Sequence, residues 1–141
     1  MNIMLFLTPK DETVFEPLDA TLKDVLDRME RHRLTAIPVI DSHGRYVGTL
    51  TEGDILRVIK TQPFQSYASL SSLIIEDIPR MTKHRPVNVQ AEFDKLVSLA
   101  MGQNFVPVVD DAKTYIGIVK RSDIIQHCYQ TMINKPEHRA L

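Results

Sequence analysis

Apolar residues along this chain fall into two rhythms that alternate and then recur. Leu22, Val25, Leu26 and Met29 stand at i, i+3, i+4 and i+7, the stripe of an amphipathic helix. Asp19 or Thr21 is placed to cap its start, and Arg31, His32 and Arg33 suit the negative end of its dipole. Ala36 to Ile40 is a β-branched run, Asp41-Ser42-His43-Gly44 supplies a turn, and Tyr46 to Leu50 returns as a second strand. Asp54 to Ile59 opens a closing helix. Downstream, Phe93, Leu96, Val97 and Ala100 make a helical face, and Phe105 to Val109 with Tyr115 to Val119 make a hairpin. Ile124, Ile125, Cys128, Met132 and Ile133 carry the last helix.

The second passage repeats the first. Ile37-Pro38-Val39-Ile40-Asp41 reappears as Val106-Pro107-Val108-Val109-Asp110, and Pro107 lies 69 residues after Pro38. In the same register Tyr46 meets Tyr115, Gly48 meets Gly117, Asp54 meets Asp123 and Ile55 meets Ile124. Mismatches exchange apolar for apolar, as Val47 with Ile116 and Leu56 with Ile125. Upstream of Pro107 the copies align only loosely. This divides the chain into a repeat at 7–60, a connector at 61–76, a repeat at 77–133 and a tail at 134–141. Within the connector, Ser71 to Ile75 is predicted to turn helical before Pro79 stops it. A repeat this small cannot cover both faces of its sheet, so the expected architecture is α/β, two repeats packed sheet to sheet.

Composition narrows the function. The 141 residues are 43% apolar, with 17 basic and 18 acidic side chains for a net charge of −1. Counterion-release binding needs an excess of Lys and Arg, so a general affinity for nucleic acid or membrane surfaces is not expected. Cys128 is the only cysteine, which excludes an internal disulfide and a thiolate metal cluster; it reads as core. The apolar start, Met1 to Leu7, lacks a basic leader and a cleavage site, and no run is long enough to span a bilayer; the expected location is the cytoplasm. His32, His43, His84, His127 and His138 show no ligand spacing, and no phosphate-cradling glycine motif occurs. No nucleophile–base pair stands out, so neither an enzyme nor a cofactor is expected.

The stretch Ile37-Pro38-Val39-Ile40-Asp41, followed by Tyr46-Val47-Gly48-Thr49-Leu50-Thr51-Glu52-Gly53-Asp54-Ile55-Leu56, resembles the core of a CBS repeat, and the second copy keeps the skeleton through Asp123-Ile124-Ile125. Two in tandem resemble a Bateman module. Thr35-Ala36-Ile37-Pro38-Val39, Asp77-Ile78-Pro79-Arg80 and Gly117-Ile118-Val119-Lys120-Arg121 are similar to small stand-alone CBS pairs of Gram-positive bacteria, some of which bind cyclic di-AMP. That group usually carries Thr-Arg-Arg where this chain has Lys120-Arg121-Ser122, and a basic residue in the first strand where this chain has Asp11 or Glu12.

The resemblance implies two ligand clefts, each shared between repeats. Cleft A would take Thr13 or Val14, Thr35, Ala36 and Ile37, completed by Lys120, Arg121 and Asp123. Cleft B would take Val87, Asn88, Phe105 and Val106 with Thr51 and Asp54. Apolar strand residues offer an adenine ring a flat slot, a carboxylate can accept from both hydroxyls of a ribose, and Lys120 and Arg121 lie beside a helix start that suits phosphate. A second reading stands beside this one. Thr51-Glu52-Gly53-Asp54 is also a capping box, Lys120-Arg121 an ordinary solvated pair, and Thr35-Ala36-Ile37 plain core strand. The implied function is a regulatory module that binds an adenine nucleotide (cyclic di-AMP, AMP, ADP or ATP) and signals in trans to a regulated partner protein. The alternative is a ligand-free interaction module. Ile55, Leu56, Ile59, Ile124, Ile125, Tyr129 and Met132 exceed what one sheet face covers, so a homodimer is expected.

Overall fold

The computed structural model describes residues 1–61, 66–79 and 84–134. In chain order the strands are β1 (Leu7–Pro9), β2 (Glu16–Pro17), β3 (Ala36–Ile40), β4 (Tyr46–Thr51), β5 (Val87–Asn88), β6 (Phe105–Val109) and β7 (Tyr115–Lys120). The helices are α1 (Leu22–His32), α2 (Glu52–Thr61), α3 (Phe93–Ala100) and α4 (Arg121–Ile133). The α/β elements fall into two compact units. One holds Val14–His84 with Ala112–Tyr115; the other holds Met1–Thr13, Arg85–Asp111 and Ile116–Leu141.

In the first of these units the sheet order is β2-β3-β4, with β2 parallel and β4 antiparallel to β3. Thr21, rather than Asp19, caps α1, its hydroxyl accepting from the Asp24 N–H at 3.2 Å. The helix buries Leu22, Val25 and Met29 in one core with Ile37, Val39 and Leu50. Each such side chain contributes roughly 1.5–3 kcal/mol on leaving water. At the hairpin, Asp41 Oδ1 accepts from the N–H groups of His43 and Arg45, and Gly44 takes φ +78°, which its missing Cβ permits. The connector differs from expectation. Its helical parts are 3₁₀ turns at Tyr67–Ser72 and Ile75–Asp77, and Ile74 between them bridges Thr21. The backbone there pairs with the start of α1 instead: the Leu22 N–H donates to Leu73 at 2.8 Å, and the Ile75 N–H to Ala20 at 3.0 Å. Pro63 and Arg80 lie outside the described residues, as does the tail beyond Asn134.

The other unit has the order β1-β7-β6-β5. The sequence reading puts residues 7–60 in the first repeat, yet Leu7–Pro9 form the edge of this second sheet, antiparallel to β7 with Thr8 opposite Ile118. Two features explain the exchange. Ile3 is buried in this unit's core and Phe6 and Leu7 pack on it, so the apolar N-terminal run is anchored here. Gly117, at φ +151°, lets β1 approach closely, since a Cβ there would stand 2.2 Å from the Thr8 carbonyl oxygen. Ile124 is buried on α4, and Cys128 packs at the core margin as expected. Ile55 and Ile124 therefore belong to their own cores. The surplus apolar surface is Leu56 and Ile59 on α2, and Ile125, Tyr129 and Met132 on α4.

Candidate functional site

The register of β3 and β4 gathers the first unit's candidates at one end of its sheet. Ala36 pairs with Thr51, and the exposed Thr35 receives the Glu52 N–H on its carbonyl at 3.0 Å. Ala36 and Ile37 are buried, and Val14, half-buried, packs on the same core. Asp54 is fully buried at the start of α2. Its Oδ2 accepts from the Thr51 N–H at 3.0 Å, and its own N–H donates to the Thr51 hydroxyl at 3.2 Å, both halves of a capping box. Its Oδ1 accepts from Arg57 Nη2 at 2.8 Å. The Asp54 carboxylate is thus occupied on both oxygens by its own unit. Nearby, burial holds the His84 imidazole below its ordinary range, and the Asp54 charge opposes that shift.

The equivalent corner of the second unit is built differently. Lys120 is exposed at the N-cap of α4 and makes no side-chain capping bond. Asp123, half-buried, has no hydrogen bond or ion pair among the described residues. It lines a recess of about 310 Å³ with Thr8, Gln126, His127 and Gln130, where the His127 ring rests edge-on against Phe6 and Phe93. Gln126 replaces Arg57 at the repeat offset, and among the described residues no guanidinium pairs with the second carboxylate.

Helical geometry separates the remaining candidates. Arg121 and Asp123, two residues apart on α4, diverge by about 200°, while Lys120 precedes the helix as its extended N-cap. Arg121 Nε donates to the Gln103 carbonyl at 3.0 Å, and its side chain lines a separate groove of about 400 Å³ with Val97, Met101, Ile125 and Tyr129. The expected pairing of Arg121 with Asp123 in one recess is not what this unit presents. Thr13 closes a local turn, its hydroxyl donating to the Lys10 carbonyl at 2.7 Å.

Val87 and Asn88 stand apart from Phe105 and Val106. The parallel register aligns Val87 with Val108 and Asn88 with Val109, the far end of β6. The Asn88 amide donates there to Asp111 Oδ1 at 2.8 Å, and its Oδ1 accepts from the Gln90 N–H at 2.9 Å. The residue level with Val106 is Arg85, two positions before Val87. Its backbone is held by the side chain of Gln103, which the sequence reading passed over. Gln103 stands two residues before β6, where the first repeat has the apolar Leu34 two residues before β3. Among the described residues no cluster of metal-ligating side chains occurs, and no helix is long and apolar enough to cross a membrane.

The chain matches the CBS domain family at residues 9–61 and again at 75–129. Its fold is shared with CbpB of Listeria monocytogenes in complex with c-di-AMP, at TM-score 0.81 and 19% identity over 96% of this chain and 100% of that one. CBSX2 in complex with AMP is similar at TM-score 0.72 and 19% identity, covering 93% and 98%. Among curated sequences, the A-adding tRNA nucleotidyltransferase of Aquifex aeolicus is 27% identical over 106 residues, 75% of this chain but only 12% of that enzyme.

Proposed function

Because the chain belongs to the CBS domain family, we propose that it is a regulatory module whose second repeat binds an adenine nucleotide, with cyclic di-AMP the first candidate and AMP, ADP and ATP beside it. In this reading Asp123 accepts from the ribose hydroxyls. Lys120 and the N-terminal dipole of α4 take the phosphate, and the leading end of β6, at Phe105–Val106, offers the apolar slot for the base. The carrying observation is the contrast between two matched carboxylates: Asp54 is fully engaged by Thr51 and Arg57, whereas Asp123 has no partner among the described residues. A half-buried carboxylate is costly to leave unpaired, and a ribose diol would satisfy it. Complexes of CbpB with c-di-AMP and CBSX2 with AMP make adenine nucleotides the ligands to test.

In this reading the output of the module is binding that a partner protein senses in trans. The exposed Leu56 and Ile59 of α2, and Ile125, Tyr129 and Met132 of α4, support self-association as a homodimer. A thermal-shift panel tests the reading. An adenine nucleotide at 100 times its dissociation constant should stabilise the protein by about 2.7 kcal/mol. Matched guanine nucleotides, which reverse donor and acceptor at the ring edge, should do less. A flat response to the whole panel would favour a ligand-free interaction module.

A further inference from the structure

Gln103 is a buried amide at a position where the first repeat carries the apolar Leu34. Burying an amide is unfavourable unless its hydrogen-bonding groups are satisfied, and here three bonds do so. Oε1 accepts from the Arg85 N–H at 2.8 Å, while Nε2 donates to the carbonyls of Arg85 and Phe105, each at 3.2 Å. One N–H and two carbonyls meet the amide, so only this orientation of the side chain serves all three. The Arg85 backbone is thereby paired on both its donor and its acceptor, as a neighbouring strand would pair it. The backbone of the same segment reaches α4: the Gln103 carbonyl receives Arg121 Nε at 3.0 Å, and the Asn104 carbonyl receives the Arg121 N–H at 3.0 Å. Three segments that bear on the proposed site therefore meet at residue 103: the approach to β5, the start of β6 and the first turn of α4.

We propose that Gln103 is a positioning residue for the nucleotide site, fixing the backbone at Arg85 and Phe105 in register with the start of α4. The proposal rests on the nucleotide-binding reading above. Gln103 touches no ligand itself in this account. It holds the strand ends in the arrangement that the base meets, so that binding need not order them.

Two variants and one ligand-independent measurement test it. Gln103→Leu restores the residue type of the first repeat and deletes all three side-chain bonds. It should remain folded, expose the Arg85 amide to faster hydrogen exchange, and weaken adenosine and its nucleotides alike by about tenfold or more. Gln103→Glu separates positioning from bulk. At pH 7.5 its carboxylate faces two carbonyl oxygens; burial disfavours that charge, and as pH falls the protonated form can donate to one of them. Its affinity relative to wild type at the same pH should therefore rise as pH falls, while that of Gln103→Leu should not. A folded Gln103→Leu that binds as tightly as wild type, or a Gln103→Glu whose relative affinity ignores pH, overturns the proposal and leaves the nucleotide reading intact. A wild type that binds no adenine compound overturns both.

Discussion

Glu16 is the least comfortable charge in the first unit, and removing its partner gives a quantitative test of the packing described here. It is 1% exposed on β2, where the structurally equivalent residue of the other sheet is Val87. Oε1 lies 2.8 Å from Nη1 of Arg28 on α1 but makes no well-formed hydrogen bond. Burial raises the Glu16 pKa above its ordinary value; Arg28 pulls it back down, and Asp24 adds to the rise. Arg28→Ala would strand the carboxylate. Losing one partner of a fully buried pair costs about 3–5 kcal/mol. The Arg28 side chain is 41% exposed, so solvent already screens the pair and a loss of about 1–3 kcal/mol is expected near pH 7. The pH dependence follows from the raised folded-state pKa. Protonated Glu16 is tolerated, so its favourable contribution is complete below the unfolded pKa and is lost as pH rises through the folded one. The Arg28→Ala deficit should therefore shrink on acidification. Urea unfolding of wild type, Arg28→Ala, Glu16→Val and the double variant at pH 5 and pH 7.5 measures this. The double variant should recover most of the loss. A deficit that is independent of pH, or that Glu16→Val fails to relieve, would refute the assignment.

The two matched aspartates should separate stability from binding. Asp54→Ala loses a cap and an ion pair and should cost about 2 kcal/mol by denaturant unfolding. Asp123→Ala should change stability by less than about 0.5 kcal/mol, and equal losses at the two positions would count against the contrast. Gly117→Ala would force a Cβ against the Thr8 carbonyl and should destabilise by about 2 kcal/mol or more. Retained protection of the β1 amides in hydrogen exchange would show that the close approach is not required. Ile125→Asp should shift the protein to monomer in light scattering, and a wild type already monomeric at high micromolar concentration would end the homodimer reading.

Much of the fold is legible because period and punctuation agree. The stripe at Leu22, Val25 and Met29, the run Ala36–Ile40 and the turn at Gly44 each point to one element, and each is found. The register between Pro38 and Pro107 makes the second copy readable from the first. What escaped was long-range pairing. Nothing local at Leu7–Pro9 says that the strand joins the sheet of the distant copy; that depends on Gly117, more than a hundred residues away in sequence. The same limit displaced Val87 and Asn88, since only the parallel register with β6 shows which residue stands level with Val106. Around α4 the side-chain directions are not legible from residue type alone. Adjacent basic residues read as a pair, but Lys120 is the exposed N-cap that ends β7, while Arg121 opens α4 and donates to the Gln103 carbonyl. Asp54 and Asp123 look equivalent until Arg57 is seen on one and Gln126 stands in its place on the other.

Calorimetric titration of cyclic di-AMP, AMP and adenosine into wild type, Lys120→Ala and Asp123→Ala separates the ribose contact from the phosphate contact. Losing one charge-assisted contact costs roughly 1.5–3 kcal/mol, about 10- to 150-fold in affinity. Asp123→Ala should weaken all three ligands by that factor. Lys120→Ala should weaken only the phosphorylated ones and flatten their salt dependence. Wild-type binding left unchanged by both substitutions, or no binding of any adenine compound, would contradict this assignment.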